Sequence, residues 1–154
     1  MSPANPLLVP STLPYGLPDF SAIRDEHVMP ALEEALRRHT AEIAAIADSP
    51  EEPTAANTVV ALEQSGQDLA RVLGYFYTVA GADATEERLR MEAEISPLLA
   101  QHSDDMYMNP QLFRRIDAVF QTLPESVGSI EAKGGVTAAQ LEAETVALVQ
   151  RYHD

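Results

Sequence analysis

From Val28 onward the apolar residues recur with a helical period. Val28, Leu32, Leu36, His39, Ile43 and Ile46 are spaced by four, four, three, four and three, which is one stripe of a 3.6-residue helix. Pro30 suits its first turn, where the missing N–H costs nothing, and Glu33–Arg37 and Glu34–Arg38 are acid-first i,i+4 pairs on the outer face. The run stops at Asp48-Ser-Pro-Glu-Glu-Pro53. Thr54 can cap a second helix that reaches Glu63 and ends at Ser65-Gly66. A third carries Leu69, Val72, Leu73, Phe76, Val79 and Ala80 on one face and ends at Gly81-Ala-Asp83. Asp83-x-x-Glu86 reads as a capping box for a fourth, with Met91, Ile95, Leu98, His102 and Met106 on its stripe and Pro97 expected to kink it. Asn109-Pro110 opens a fifth through Leu112, Phe113, Ile116, Val119 and Phe120. Leu123 to Val136, with Pro124, Gly128, Gly134 and Gly135, reads as a loop. Thr137-x-x-Gln140 then caps a sixth helix with Leu141, Thr145, Leu148 and Tyr152.

Ahead of these helices the pattern is different. Pro3, Pro6, Pro10, Pro14 and Pro18 fix φ and remove donors, so neither a helix nor a central strand can run through residues 1–24. Leu7, Leu8, Leu13, Tyr15, Leu17, Phe20 and Ile23 are nevertheless too apolar for a free linker, so this stretch is expected to lie along the surface of something larger. No alternating strand pattern appears. The expectation is an all-α fold, a helical bundle of about six helices in residues 25–154, preceded by an extended Pro-rich N-terminal arm in residues 1–24.

Charge narrows the classes of function. Of the 154 residues, 24 are Asp or Glu and 10 are Lys or Arg, a formal net charge of −14. Such a surface repels phosphate backbones and anionic lipid, which argues against nucleic-acid and membrane partners. The absence of cysteine removes disulfides, thiolate nucleophiles and Cys-based metal sites. The N-terminus lacks the basic and apolar segments of a signal peptide, and no apolar run approaches the roughly 20 residues that span a bilayer, so a cytoplasmic location is expected.

Candidate chemistry is sparse. The histidines are His27, His39, His102 and His153, and no pair has the i,i+4 spacing that holds zinc on one helix face. His39 with Glu42, and His102 with Asp104 or Asp105, are conceivable half-sites. Both histidines fall on apolar stripes, however, which favours half-buried packing residues. The acidic clusters Asp48–Glu52, Glu86–Glu87 and Asp104–Asp105 lie at helix starts and loops, where carboxylates favour the positive dipole end or solvate the surface. Tyr75, Phe76 and Tyr77 point in three directions around one helix. Phe76 belongs to the core stripe, and Tyr75 and Tyr77 are left facing outward or sideways, where they could line an interface or a substrate groove, or pack against a neighbouring helix. No catalytic or metal-binding residue is assigned, and none is singled out as touching a substrate.

Several words in this order are familiar. They are Asn5-Pro-Leu-Leu, Ser11-Thr-Leu-Pro-Tyr15, Pro18-Asp-Phe20, His27-Val-Met-Pro30-Ala31, Ala41-Glu-Ile-Ala-Ala-Ile-Ala47 and, most specific, Asn57-Thr-Val-Val-Ala-Leu-Glu-Gln-Ser-Gly66. Tyr107-Met-Asn109 through Leu112-Phe113 continues the match. Together they resemble the N-terminal region of the bacterial peptidyl-dipeptidases (dipeptidyl carboxypeptidases), a branch of the thimet-oligopeptidase family of zinc metallopeptidases, over residues 5–154. Phe76-Tyr77 suits that branch better than the oligopeptidase branch.

The resemblance implies a chain several-fold longer, in which a His-Glu-x-x-His helix and a further glutamate hold zinc downstream. None of those residues exists here. It implies that this region is a non-catalytic helical part of the wall of a channel admitting short peptides. Its partner would be the remainder of the same polypeptide, and zinc would be the cofactor of the full enzyme and not of this piece. The final helix also meets Asp154 without a stop signal, which fits a fragment. The alternative reading is a free-standing acidic helical adaptor that binds partner proteins.

Overall fold

The computed structural model describes residues 5–122 and residue 151. Helices account for most of the described residues, and none of these is in a strand. Helix α1 spans Val28–Ala47, α2 Ala61–Gln64, α3 Gln67–Ala82, α4 Glu86–Tyr107 and α5 Pro110–Gln121. Four of them are three turns or longer, where the sequence predicts about six helices; the sixth, opening at Thr137, lies outside the described residues, as does the loop from Leu123 to Val136. The expected second helix is a correction of kind. Ala55–Val60 forms a π-helical segment, and only the four residues of α2 that follow are α-helical. Thr54 caps that segment: its Oγ1 accepts from Asn57 N and its own N–H donates to Asn57 Oδ1.

Two further caps are decided by individual side chains. Thr85, not Asp83, holds the start of α4, with Oγ1 accepting from Arg88 N at 3.2 Å. Asn109 Oδ1 accepts from Gln111 N and Leu112 N at 3.0 Å, as its position before Pro110 predicts. Helix α4 runs from Glu86 to Tyr107 with Pro97 inside it. On α1, Glu34 takes both Arg37 and Arg38, so Arg37 pairs with Glu34 where the spacing pointed to Glu33. These two guanidiniums hold the Glu34 carboxyl down to about 2.

The chain forms two compact units, each assembled from separate stretches. Among the described residues, one contains residues 5–42 together with Gly66–Asp105; the other contains Ile43–Ser65 and residues 106–122. In the first, Leu7, Val28, Leu32, Val72, Phe76 and Ile95 are the fully buried centre, joined by Ile23, Leu69, Tyr75 and Met91. Each such side chain contributes roughly 1.5–3 kcal/mol through burial. In the second, Ile43, Ala47, Leu62, Leu112 and Ile116 form one cluster, and Val59 with Val119 forms another.

The arm is less extended than expected. Pro6–Leu8 and Pro14–Gly16 are 3₁₀ turns, and Leu7 and Ile23 enter the core. Asn5 Nδ2 donates to His27 O at 2.8 Å, and Arg71 Nη1 reaches Leu7 O at 3.4 Å, so the start of the arm is tied down, while burial of Ile23 holds its far end. Tyr15 has φ 60 and Gly16 φ 66, a pair of left-handed residues that turns the arm at its tip.

Candidate functional site

One polar cluster of the first unit joins two residues that are far apart in sequence. His39 on α1 and His102 on α4 face each other, with His39 Nδ1 2.9 Å from His102 Nε2 and ring centroids 4.9 Å apart. Both rings are half-buried, as their place on apolar stripes suggests. Their pairing across 63 residues is the finding the sequence lacked. Thr40 Oγ1 donates to Leu36 O, so in its long 3.5 Å contact with His102 Nδ1 it can only accept. Within the His39–His102 contact one ring nitrogen donates and the other accepts, so the two imidazoles hold complementary tautomers. Neither acidic half-site closes. Glu42 Oε2 accepts from Gly66 N at 2.7 Å, and Asp105 accepts from Gln101 Nε2 at 2.8 Å.

Gly66 completes this cluster. It precedes α3 with φ 70, and a Cβ there would lie 3.0 Å from His39 Nε2. Both the left-handed backbone and the imidazole packed on Cα demand a glycine. The last residue of the Asn57–Gly66 word is thus a seat for the histidine pair.

Burial, then the charge of His102, depresses the His39 imidazole below its usual range, against the opposing pull of Glu42. Burial likewise depresses His102, opposed by Asp105. The folded chain therefore binds fewer protons than the unfolded one as the pH falls below the ordinary histidine value of about 6.5. The pair's contribution is present above that value and is lost as the pH drops toward the depressed folded values. Thermal unfolding between about pH 7.5 and 5.5 is expected to show the parent losing stability relative to the His39→Leu/His102→Leu double variant. A difference that stays constant over this range would exclude the coupling.

The second unit has a hub built on the other end of the same word. Asn57 Oδ1 accepts from Thr54 N at 2.8 Å, Thr58 Oγ1 at 2.9 Å and Arg115 Nη2 at 3.1 Å, while Asn57 Nδ2 donates to Glu52 O at 2.9 Å. Arg115 is 6% exposed and donates from Nη1 to Ser49 O at 2.9 Å and Glu51 O at 2.8 Å. The guanidinium thereby pins the Asp48–Pro53 segment onto α5 through neutral acceptors. Its Nε is buried without a hydrogen-bond partner. Sequence reasoning passed over Arg115, yet a signal existed: it shares the α5 face with Leu112, Ile116 and Val119, where a charged residue is out of pattern.

The aromatic triplet divides between the two readings left open. Phe76 is buried as foreseen, but so is Tyr75, whose ring packs 5.6 Å from Phe20 and whose hydroxyl donates to Ile23 O at a long 3.4 Å. Burial, with Asp25 nearby, pushes that hydroxyl's pKa up. Tyr77 is exposed and touches Phe76 edge-on. Tyr75→Phe is expected to cost less than about 1 kcal/mol, because the hydrogen bond it loses is long and the ring stays; denaturant unfolding of the variant measures this. Asp25 holds Arg88 Nε at 3.0 Å, and Arg88 Nη1 donates to Val79 O and Asp83 O, closing the end of α3.

Asp48, Glu51, Glu52, Glu86, Glu87, Asp104 and Asp105 are exposed. Among the described residues no three His, Asp or Glu side chains converge where they could hold a metal ion. The zinc that the family resemblance implies therefore has no ligand set among them, and no chemical step is assigned to it. What the geometry provides is two polar ties, each fastening helices or a loop inside its own unit, and an arm with its apolar side turned outward. No described helix is long and apolar enough to cross a membrane.

No family model matches the chain. Among curated proteins it is similar to the dipeptidyl carboxypeptidase of Escherichia coli (strain K12), with 40% identity over 153 residues, 99% of this chain and 21% of that protein. It is also similar to the dipeptidyl carboxypeptidase of Salmonella typhimurium (strain LT2), with 44% identity over 117 residues, 76% of this chain and 17% of that protein. The chain spans about one fifth of the length of the curated relatives it matches.

Proposed function

We propose that this chain is the N-terminal helical domain of a zinc peptidyl-dipeptidase of the thimet-oligopeptidase family, an enzyme that removes dipeptides from the C-termini of short peptides. The observation that carries the reading is identity of 40% across 99% of the chain to a protein named dipeptidyl carboxypeptidase. In this reading the domain is non-catalytic. It supplies part of the wall of the substrate channel, an acidic surface, and a face for the rest of the polypeptide. Its two polar ties support that role, since both are made to internal partners and hold the scaffold in shape. The cytoplasm is the proposed location, and zinc belongs to the portion of the enzyme that this chain does not contain.

Two preparations test this. The 154-residue chain, given zinc and an N-blocked tripeptide, is expected to release no dipeptide. The product of the uninterrupted reading frame is expected to release it and to lose that activity on chelation. Chelator-sensitive hydrolysis by the 154-residue chain would refute the non-catalytic role. A reading frame that yields no peptidase would turn the reading toward an acidic adaptor.

A further inference from the structure

The arm is held in place by its inner side and is apolar on its outer side. Leu7 is 1% exposed and Ile23 7%, whereas Leu13 is 43% exposed, Leu17 56%, Phe20 49% and Tyr15 99%. This contrast is built in. Ser11 Oγ donates to Leu17 O and accepts from Leu13 N, closing a loop whose tip is the left-handed Tyr15-Gly16 pair. Under the loop lies a cavity of about 350 Å³, walled in part by Val9, Leu13, Pro18 and Ile23, with Arg71 at its edge. Arg71 is engaged by Asp68 Oδ1 at 2.7 Å, so the cavity offers a mainly apolar recess.

We propose that this outward face of the arm is the docking surface for the remaining polypeptide of the full-length enzyme, an inference that rests on the functional reading above. Three observations select that occupant. The matched relatives carry about four fifths of their length outside the part aligned with this chain. Between Asn5 and Ile23 the sole charged residue is Asp19, in a chain of net charge −14, so covering the arm desolvates almost no ions. Pro6, Pro10, Pro14 and Pro18 lack N–H groups, so covering this backbone also strands fewer donors than an ordinary loop would. A second copy of the chain is a poorer occupant, because two bodies of charge −14 repel. The recess would admit an apolar side chain of the docked polypeptide.

Hydroxyl-radical labelling of Tyr15, Leu17 and Phe20, read by mass spectrometry, tests the surface directly. In the 154-residue chain these residues are expected to label rapidly. In the full-length gene product they are expected to be protected at least about fivefold, as in the dry core of an interface. Leu13→Glu/Leu17→Glu should leave the unfolding midpoint of the 154-residue chain unchanged, because both side chains are exposed, and should restore labelling of Tyr15 in the full-length product. A full-length peptidase whose arm labels as fast as that of the 154-residue chain overturns the docking and leaves the functional reading standing. A protected arm on a product without peptidase activity supports the docking and refutes that reading. Protection that grows with the concentration of the 154-residue chain, together with faster sedimentation, assigns the face to a second copy and overturns the proposal.

Discussion

Arg115→Ala is expected to lower stability by about 3 kcal/mol, the largest effect foreseen here. The substitution takes one donor each from Ser49 O, Glu51 O and Asn57 Oδ1, the last of which keeps Thr54 N and Thr58 Oγ1, and a hydrogen bond to a charged group contributes about 1.5–3 kcal/mol. Part of this is recovered, because the Asp48–Pro53 segment can turn outward to water and because the desolvation cost of a buried cation disappears. Arg115→Lys keeps the charge but not the planar fork, so it cannot serve Nη1 and Nη2 partners together and should fall between parent and alanine. Denaturant unfolding of the three proteins gives the order. A loss below about 1 kcal/mol for alanine would mean that the three acceptors are satisfied without the guanidinium.

The second large effect is expected at Gly66. An alanine there must hold φ near 70, which costs an L-residue about 1–2 kcal/mol. Its Cβ would also sit 3.0 Å from His39 Nε2, so the imidazole must yield or the start of α3 must move. Overpacking costs about 1–3 kcal/mol, and because the imidazole need yield only a few tenths of an ångström the low end applies, which brings the expected total to about 2–3 kcal/mol. The two parts separate in a double variant. Gly66→Ala combined with His39→Ala should recover the steric share and retain the backbone share. Equal losses with and without the imidazole would show that the ring does not constrain this position.

Local rules carried the reading of the helices well where one residue decides one end. The Asn109-Pro110 start of α5, the Val28 stripe and the Gly66 boundary all follow from capping and periodicity, and the all-helical class follows with them. Where two signals compete within a few residues, the outcome depends on tertiary partners. Thr85 and Asp83 are both competent caps, and Arg88, engaged by Asp25, Val79 and Asp83, draws the start of α4 to Thr85. The same holds for Thr54 to Gln64. A helix-forming pattern became π-helical where Asn57 turned its amide to Thr54, Glu52 and Arg115. The His39–His102 pair was legible only in halves, since each ring marks an apolar stripe but nothing local says that the two stripes meet. Tyr75 stayed undecided between packing and an open groove because helical angle alone does not reveal that Phe20 of the arm covers that side.

Interleaving of the two units along the chain bears on how this polypeptide emerges from the ribosome. Arg71 meets Leu7 across 64 residues, Arg88 meets Asp25 across 63, and Arg115 meets Ser49 across 66. Ties of that span close late, after a long loop has lost its freedom. When synthesis has reached Ser65, the nascent chain holds one incomplete half of each unit and the core of neither. The arm, though made before α3, gains its tie to Arg71 only when α3 follows. Shortening this chain at a single point between Ile43 and Ser65 would therefore orphan two cores at once.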